Sequence, residues 1–173
     1  MKSANLEIHA MSRTRLETSD FRILKQLQKD SRISNAELAD RVGMSASACW
    51  RRVRALEESG VIESYGIRID ARACGLEFRA IVHVRLTRHN PDNMVGFIRA
   101  VERRAEVQEC YATTGQADYH LLVLCRDIDA YNRFLEEFLF RLPAVDSAQT
   151  NLILRQINTA REMAFQPPTG AGG

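Results

Sequence analysis

Apolar positions between residues 18 and 60 recur at helical spacing. Phe21, Leu24 and Leu27 share one face of a segment running from Thr18 to Asp30. From Ser34 the stretch S-N-A-E sets Glu37 three residues after a serine. That is the capping-box pattern, in which the hydroxyl takes a free helix amide and the carboxylate reaches back. Leu38 and Val42 point inward from this second helix, and Gly43 suits its left-handed end. Only Met44 separates that glycine from Ser45, a second N-cap whose helix runs to Gly60. Two short helices meeting at a glycine turn predict a helix-turn-helix. In the third helix Cys49, Val53 and Leu56 make the apolar stripe, and Ser47, Arg51 and Arg54 fall on the opposite face. Arg52 lies nearer the flank. Trp50 flanks the other side and reads as a half-buried packing residue, while the small Ala48 and Ala55 let the helix approach a surface closely.

Beyond Gly60 the period changes. VIESYGIRID alternates and predicts a strand leaving the small domain, with residues 66–77 as a linker strand and joint. Strands are expected over Phe78–Thr87, Val107–Thr114, Tyr119–Cys125 and Ser147–Ile157. One helix opens at Asn90-Pro91 with Val95, Ile98 and Val101 inward. The other covers Asp129–Leu142, carries Tyr131, Phe134, Leu135, Phe138 and Leu142, and stops at Pro143. The order βαββαβ is that of a ferredoxin-like domain, and its two halves form a structural repeat. The fold class is therefore α+β: a helix-turn-helix (winged-helix-like) domain over 16–65, then a ferredoxin-like domain over 78–163. The tail 164–173 has the composition of a disordered segment.

Composition narrows the setting. Hydrophobic residues at 45% and charged ones at 27% are globular values. There is no run long enough to span a membrane and no apolar core of a secretory signal, so a cytoplasmic protein is expected. Cys49, Cys74, Cys110 and Cys125 form no C-x-x-C pair and read as buried reduced thiols, with neither a metal nor a cofactor implied. The net charge of +2 points to no partner by itself. The local pattern does: from Ser45 to Leu56 there are three arginines and no acid. A solvated basic face is the ordinary explanation. The tight turn in front of it and the serines at its start favour DNA, since a recognition helix reads base edges with its N-terminal residues while other groups hold phosphates. The expected DNA-facing set is Ser45, Ser47, Ala48, Arg51, Arg52 and Arg54, with Arg51 on a base and Arg52 and Arg54 on phosphates.

Four long stretches, RISNAELADRVGMS, ACWRRVRALEESGVI, VQECYATTGQADYHLLV and VDSAQTNLILRQI, occur in that order between Leu16 and Met163. Together they resemble the leucine-responsive and asparagine-responsive regulator family, Lrp/AsnC. The resemblance implies a transcriptional regulator, not an enzyme, that binds double-stranded DNA through the first domain and senses a small molecule, commonly an amino acid, through the second. It also implies a homodimer that associates further, often to an octamer, on a pseudo-palindromic operator at the nucleoid. Glu17, Ala71, Ala105 and Ala144 depart from the family pattern at caps and turns, away from the chemistry.

An amino-acid effector is a zwitterion, and its pocket needs an anion for the ammonium and donors for the carboxylate. In ATTGQADYH, residues 112–120, Gly115 leaves backbone amides open, Thr113 or Thr114 adds a hydroxyl, and Asp118 can meet the ammonium. The resemblance implies effector binding around this same turn, where dimers meet. Tyr111 and Tyr119 either line that pocket or pack on the sheet. The competing reading is a hairpin in which Gly115 supplies a positive φ and Asp118 closes the turn. Two other functions stay open. One is an architectural DNA-wrapping protein with no effector. The other is an enzyme like the siroheme decarboxylases, which share the two-domain architecture and would draw on His83, His89 and His120.

Overall fold

The computed structural model describes residues 15–87, 91–157 and Met163. The described residues divide into two compact units, one holding residues 15–67 with Met163, the other spanning Arg68–Ile157.

The first unit consists of α1 (Thr18–Lys29), α2 (Asn35–Val42) and α3 (Ala46–Glu58). Its core is Ile23, Leu24, Leu38, Ala39, Val42, Cys49 and Leu56, with Leu27 and Val53 packed against it; on α1 the inward place expected of Phe21 is taken by Ile23, and Phe21 is only half-buried. The Ser34 hydroxyl caps α2 by accepting the Glu37 amide at 3.2 Å. The reciprocal half of the expected capping box is not made, because the Glu37 carboxylate takes Arg41 one turn on at 2.6 Å. Gly43 ends α2 at φ 69°, and the amide of Met44 closes the turn on the Ala39 carbonyl at 2.9 Å. Ser45 then caps α3 through the Ala48 amide at 3.3 Å.

Residues 61–70 form no strand. Alternation alone does not make one: a strand exists by its ladder, and among the described residues none lies beside this segment. Ile62 packs against the helical core, and most of the rest is exposed, Ile67 and Ile69 among it. The linker expected at 66–77 holds a 3₁₀ turn at Arg72–Cys74 instead of a strand.

The second unit is a four-stranded antiparallel sheet of β1 (Phe78–Leu86), β2 (Val107–Ala112), β3 (Tyr119–Cys125) and β4 (Val145–Leu152), in the order β2-β3-β1-β4. Two helical segments cover one face. α4 is Pro91–Glu102, and α5 starts at Ile128–Arg133 under the cap Asp127, then widens to a π turn at Phe134–Phe138 and tightens to a 3₁₀ turn at Leu139–Arg141. The βαββαβ order is as expected. The outer strands are shorter than their sequence patterns, β2 ending at Ala112 and β4 at Leu152. Ala80, Val82 and Val84 of β1 and Tyr119, Leu121, Val123 and Cys125 of β3 point to the helices and bury against Phe97, Val101, Tyr131, Phe134 and Leu139. The alternate residues, Arg79, Ile81, His83 and Arg85 of β1 with His120 and Leu122 of β3, lie on the other face. No helix of the described residues is long and apolar enough to cross a membrane. The tail 164–173 and Asn90 lie outside the described residues.

The cysteines divide. Cys49 and Cys125 are buried, and burial pushes both thiols up from their ordinary range. Cys74 and Cys110 are exposed, contrary to the expectation for all four, because Cys74 sits in the 3₁₀ turn and Cys110 on the edge strand β2.

Candidate functional site

The three arginines of α3 have three different environments. Arg52 turns back into its own unit, where its guanidinium meets the Asp20 carboxylate at 3.2 Å, the Ser19 hydroxyl at 3.1 Å and the Glu17 carboxylate. Asp20 is only 4% exposed, so the pair neutralises a buried charge at the head of α1. The same carboxylate also accepts the Glu17 amide at 2.8 Å. A guanidinium held by three oxygens is poorly placed to leave for a phosphate. Arg54 is exposed, faces Glu58 at 3.6 Å and lies 5.5 Å from the Trp50 ring. Arg51 is exposed and has no polar partner among the described residues.

Beside Arg51 a shallow depression is lined by Asn35, Ala46, Ser47 and Trp50. Asn35 donates to the Ala46 carbonyl at 2.9 Å and so fixes α2 against the first turn of α3. The Ser45 hydroxyl is engaged as the cap, Ser47 lies 3.4 Å from it, and Ala48 is half-buried behind them. Trp50 is 54% exposed and belongs to this outer face rather than to the packing flank expected of it. Its indole sits with Arg54 outside the Cys49–Leu56 stripe.

In the second unit the turn 113–118 is tied to the end of β1. The amide of Asp118 donates to the Val84 carbonyl at 2.9 Å, and its carboxylate accepts the Leu86 amide at 2.8 Å. A register shift between Arg85 and Leu86 takes that amide out of the ladder with β4, and the side chain satisfies it. Thr113 closes the hairpin, its amide on the Asp118 carbonyl at 3.0 Å and its hydroxyl on the Ala117 carbonyl at 3.2 Å. Gly115 adopts φ 127°, which an L side chain rarely does. Tyr119 is buried 5.0 Å from the Phe97 ring and is part of the core, and burial raises its pKa. Tyr111 is exposed and donates to Glu109 at 2.6 Å, which holds its hydroxyl above the ordinary range. The six residues expected at an effector site therefore separate. Thr113 and Asp118 build the hairpin, Tyr119 packs inside, and Tyr111, Thr114 and Gly115 remain at the surface.

Thr114 borders a groove of about 840 Å³ on the open sheet face, together with Gln116, Arg85, His83, His120 and Gln149. Arg85 has no polar partner among the described residues. His83 and His120 face each other across β1 and β3. Of these, Arg85, Gln116 and Gln149 escaped sequence reasoning, because the strand pattern tells which side a residue takes, and only the register tells which residues it meets. His89 lies outside the described residues, and no cluster of three or more His, Cys, Asp or Glu able to hold a metal occurs among those described.

Residues 16–63 match the winged helix-turn-helix DNA-binding family model, and residues 79–163 match that of the Lrp/AsnC ligand binding domain. The leucine-responsive regulatory protein of Escherichia coli (strain K12) is 36% identical over 151 residues, covering 87% of this chain and 92% of that protein. The chain belongs to the Lrp/AsnC family. Solved Lrp/AsnC structures agree. A transcriptional regulator from Neisseria meningitidis, solved as a complex with L-Met, superposes with a TM-score of 0.81 at 30% identity, covering 86% of this chain and 96% of that one. An AsnC family transcriptional regulator from Agrobacterium tumefaciens gives 0.80 at 30% identity, covering 86% and 97%.

Proposed function

We propose that this Lrp/AsnC chain is a sequence-specific DNA-binding transcriptional regulator whose DNA binding or assembly is modulated by an amino acid or a related metabolite. The observation that carries the reading is Arg51: an exposed guanidinium with no partner among the described residues, one and a half turns into a helix held at a fixed angle by the Gly43 turn and the Asn35 bond. Ser47 and Arg54 flank it on the same face. Arg51 is assigned to a base edge and Arg54 to a phosphate, Ser45 and Ala48 allow the helix N-terminus to come close, and Arg52 supports the surface from behind.

The effector is placed at the groove beside residues 113–118. Thr114, the Gly115 amides and Arg85 offer donors to a carboxylate, and the second Asp118 oxygen offers an acceptor to an ammonium. An amino acid as effector class is supported by the L-Met complex of the Neisseria relative. The working form is a homodimer that associates further and acts in the cytoplasm at the nucleoid, with no catalytic step and no cofactor.

The test is footprinting of the full chain on DNA upstream of its own gene and its neighbours, with each amino acid added in turn. Paired protections whose centres are roughly 10 base pairs apart, or a multiple of that, are expected, with at least one amino acid shifting the affinity. A single asymmetric half-site bound by monomer would contradict the dimer. Indifference to every amino acid would remove the sensor and leave an architectural protein.

A further inference from the structure

Trp50 is the chain's single tryptophan, and 54% of its surface is in solvent although α3 has a buried side at Cys49 and Leu56. It follows Ser47 by three residues and precedes Arg54 by four, so the three stand in one row on the outer face of the helix. The Arg54 guanidinium lies over the indole, 5.5 Å from the ring centre, and steadies it. A single exposed apolar side chain needs no explanation by itself. This one forms, with Ala46, the apolar wall of the depression whose polar rim is Asn35, Ser47 and Arg51. The Asn35 bond to the Ala46 carbonyl fixes the wall in place. The charge around it is positive, with three arginines and no acid from Ser45 to Leu56.

We infer that Trp50 is a specificity-determining residue of the DNA surface, its apolar wall taking the 5-methyl group of a thymine close to the base pair read by Arg51. The inference rests on the DNA-binding reading above. At the base edges of the major groove, duplex DNA offers one apolar group, the thymine methyl. Phosphate oxygens and the polar edges of the other bases would lose water against the indole and Ala46 and find no partner there. Arg51, by contrast, carries the fork of donors that matches O6 and N7 of a guanine. Consecutive residues of α3 thus bring two chemistries to the groove, one for a methyl and one for a pair of acceptors. Trp50 lies in the second turn of α3, near the end with which a recognition helix reaches base edges. The small side chains of Ala46 and Ser47 in the turn before it let the helix come close.

The test uses the full chain and the footprinted operator. Each thymine of the half-site is replaced in turn by uracil, which lacks the 5-methyl, at the matching positions of both half-sites. Affinity is then measured for wild type, Trp50→Ala and Arg51→Ala. In wild type one uracil position should lower affinity about fourfold per half-site, the worth of one buried methyl. Trp50→Ala should lose at least as much on the thymine operator and become indifferent to uracil at that position, while Arg51→Ala stays sensitive to it. Thermal melting checks that Trp50→Ala folds, as the exposure of the indole leads one to expect; if it does not, Trp50→Gln takes its place. Wild-type indifference to uracil at every position, or an undiminished uracil effect in a folded Trp50 variant, would overturn the inference and leave the Arg51 contact standing. A chain that protects no DNA at all would remove the DNA-binding reading and the inference with it.

Discussion

Among the described residues the helical unit closes on seven buried apolar residues, the αβ unit on thirteen. The smaller core cannot supply the same stabilisation, and its helices are additionally fastened by charge: Arg52 on Asp20 and Glu17, Arg41 on Glu37. In the αβ unit the central strands bury every second side chain, and the notable polar fastenings sit at the ends of elements, Asp118 on β1 and Asp127 on α5. The two basic positions that look alike in α3 therefore differ in kind. Arg52 belongs to the fastening of a small core, and Arg51 is left over for a partner.

Removing the fastening should have the largest effect. Arg52→Ala leaves Asp20 buried beside Glu17 without its cation. Loss of one partner from a fully buried pair costs about 3–5 kcal/mol. Because the Arg52 side chain is 31% exposed, about 2 kcal/mol is expected here. Trp50, the single tryptophan, lies in α3 and reports on this unit by fluorescence during urea unfolding. Arg52→Lys should recover only part, since an ammonium does not reproduce the fork that spans two carboxylates and a hydroxyl. Wild-type stability in Arg52→Ala, with weakened binding to every DNA sequence, would return Arg52 to the phosphate contact that its place in the sequence suggests.

Asp118→Ala comes next. It leaves the Leu86 amide unsatisfied, for about 1.5 kcal/mol in the αβ unit, and also removes the acceptor proposed for the effector's ammonium. Asp118→Asn separates the two roles. The amide oxygen can still accept from Leu86, so stability should largely return while effector affinity stays low. Recovery of both in Asp118→Asn would confine the residue to closing the hairpin.

The smallest expected effect is on pH dependence. Asp127 caps α5 by accepting the Ala130 amide at 2.7 Å, and that bond, with Arg126 beside it, holds its carboxyl below the usual value. A folded-state pKa lowered in this way adds stability that is present above the unfolded value of about 3.9 and is lost as pH falls through the folded one. In the helical unit α2 and α3 are capped by hydroxyls, Ser34 and Ser45, while α1 is headed by the carboxylates Glu17 and Asp20. Asp127→Ser should keep the cap and flatten the acid limb of the melting profile of the αβ unit. An unchanged acid limb would remove Asp127 from the account.

What could be read beforehand follows the same division. A helix fixes its own faces, so Cys49 and Leu56 inward and Arg51 and Arg54 outward were legible from spacing alone. The contacts of Arg52, on the flank, were not legible because its partners Glu17 and Asp20 lie more than thirty residues earlier, beyond any local pattern. In the sheet, the apolar runs located β1 and β3 as strands. They could not bring His83 to His120 or Asp118 to Leu86, because those meetings depend on register and on a bulge at Arg85. Residues 61–70 misled in the opposite way: they alternate like a strand and have no ladder among the described residues.

The central claim, that α3 reads DNA through Arg51 while Arg52 supports it, is tested most directly by titrating wild type, Arg51→Ala and Arg52→Ala against the footprinted operator and an unrelated duplex at two salt concentrations. Arg51→Ala should melt as wild type does, lose about 1–3 kcal/mol on the operator and bind the unrelated duplex almost unchanged. Arg52→Ala should lose stability while keeping the wild-type salt slope, because it releases no counterion from a phosphate. An Arg51→Ala protein that holds the operator with wild-type affinity and preference would contradict the account.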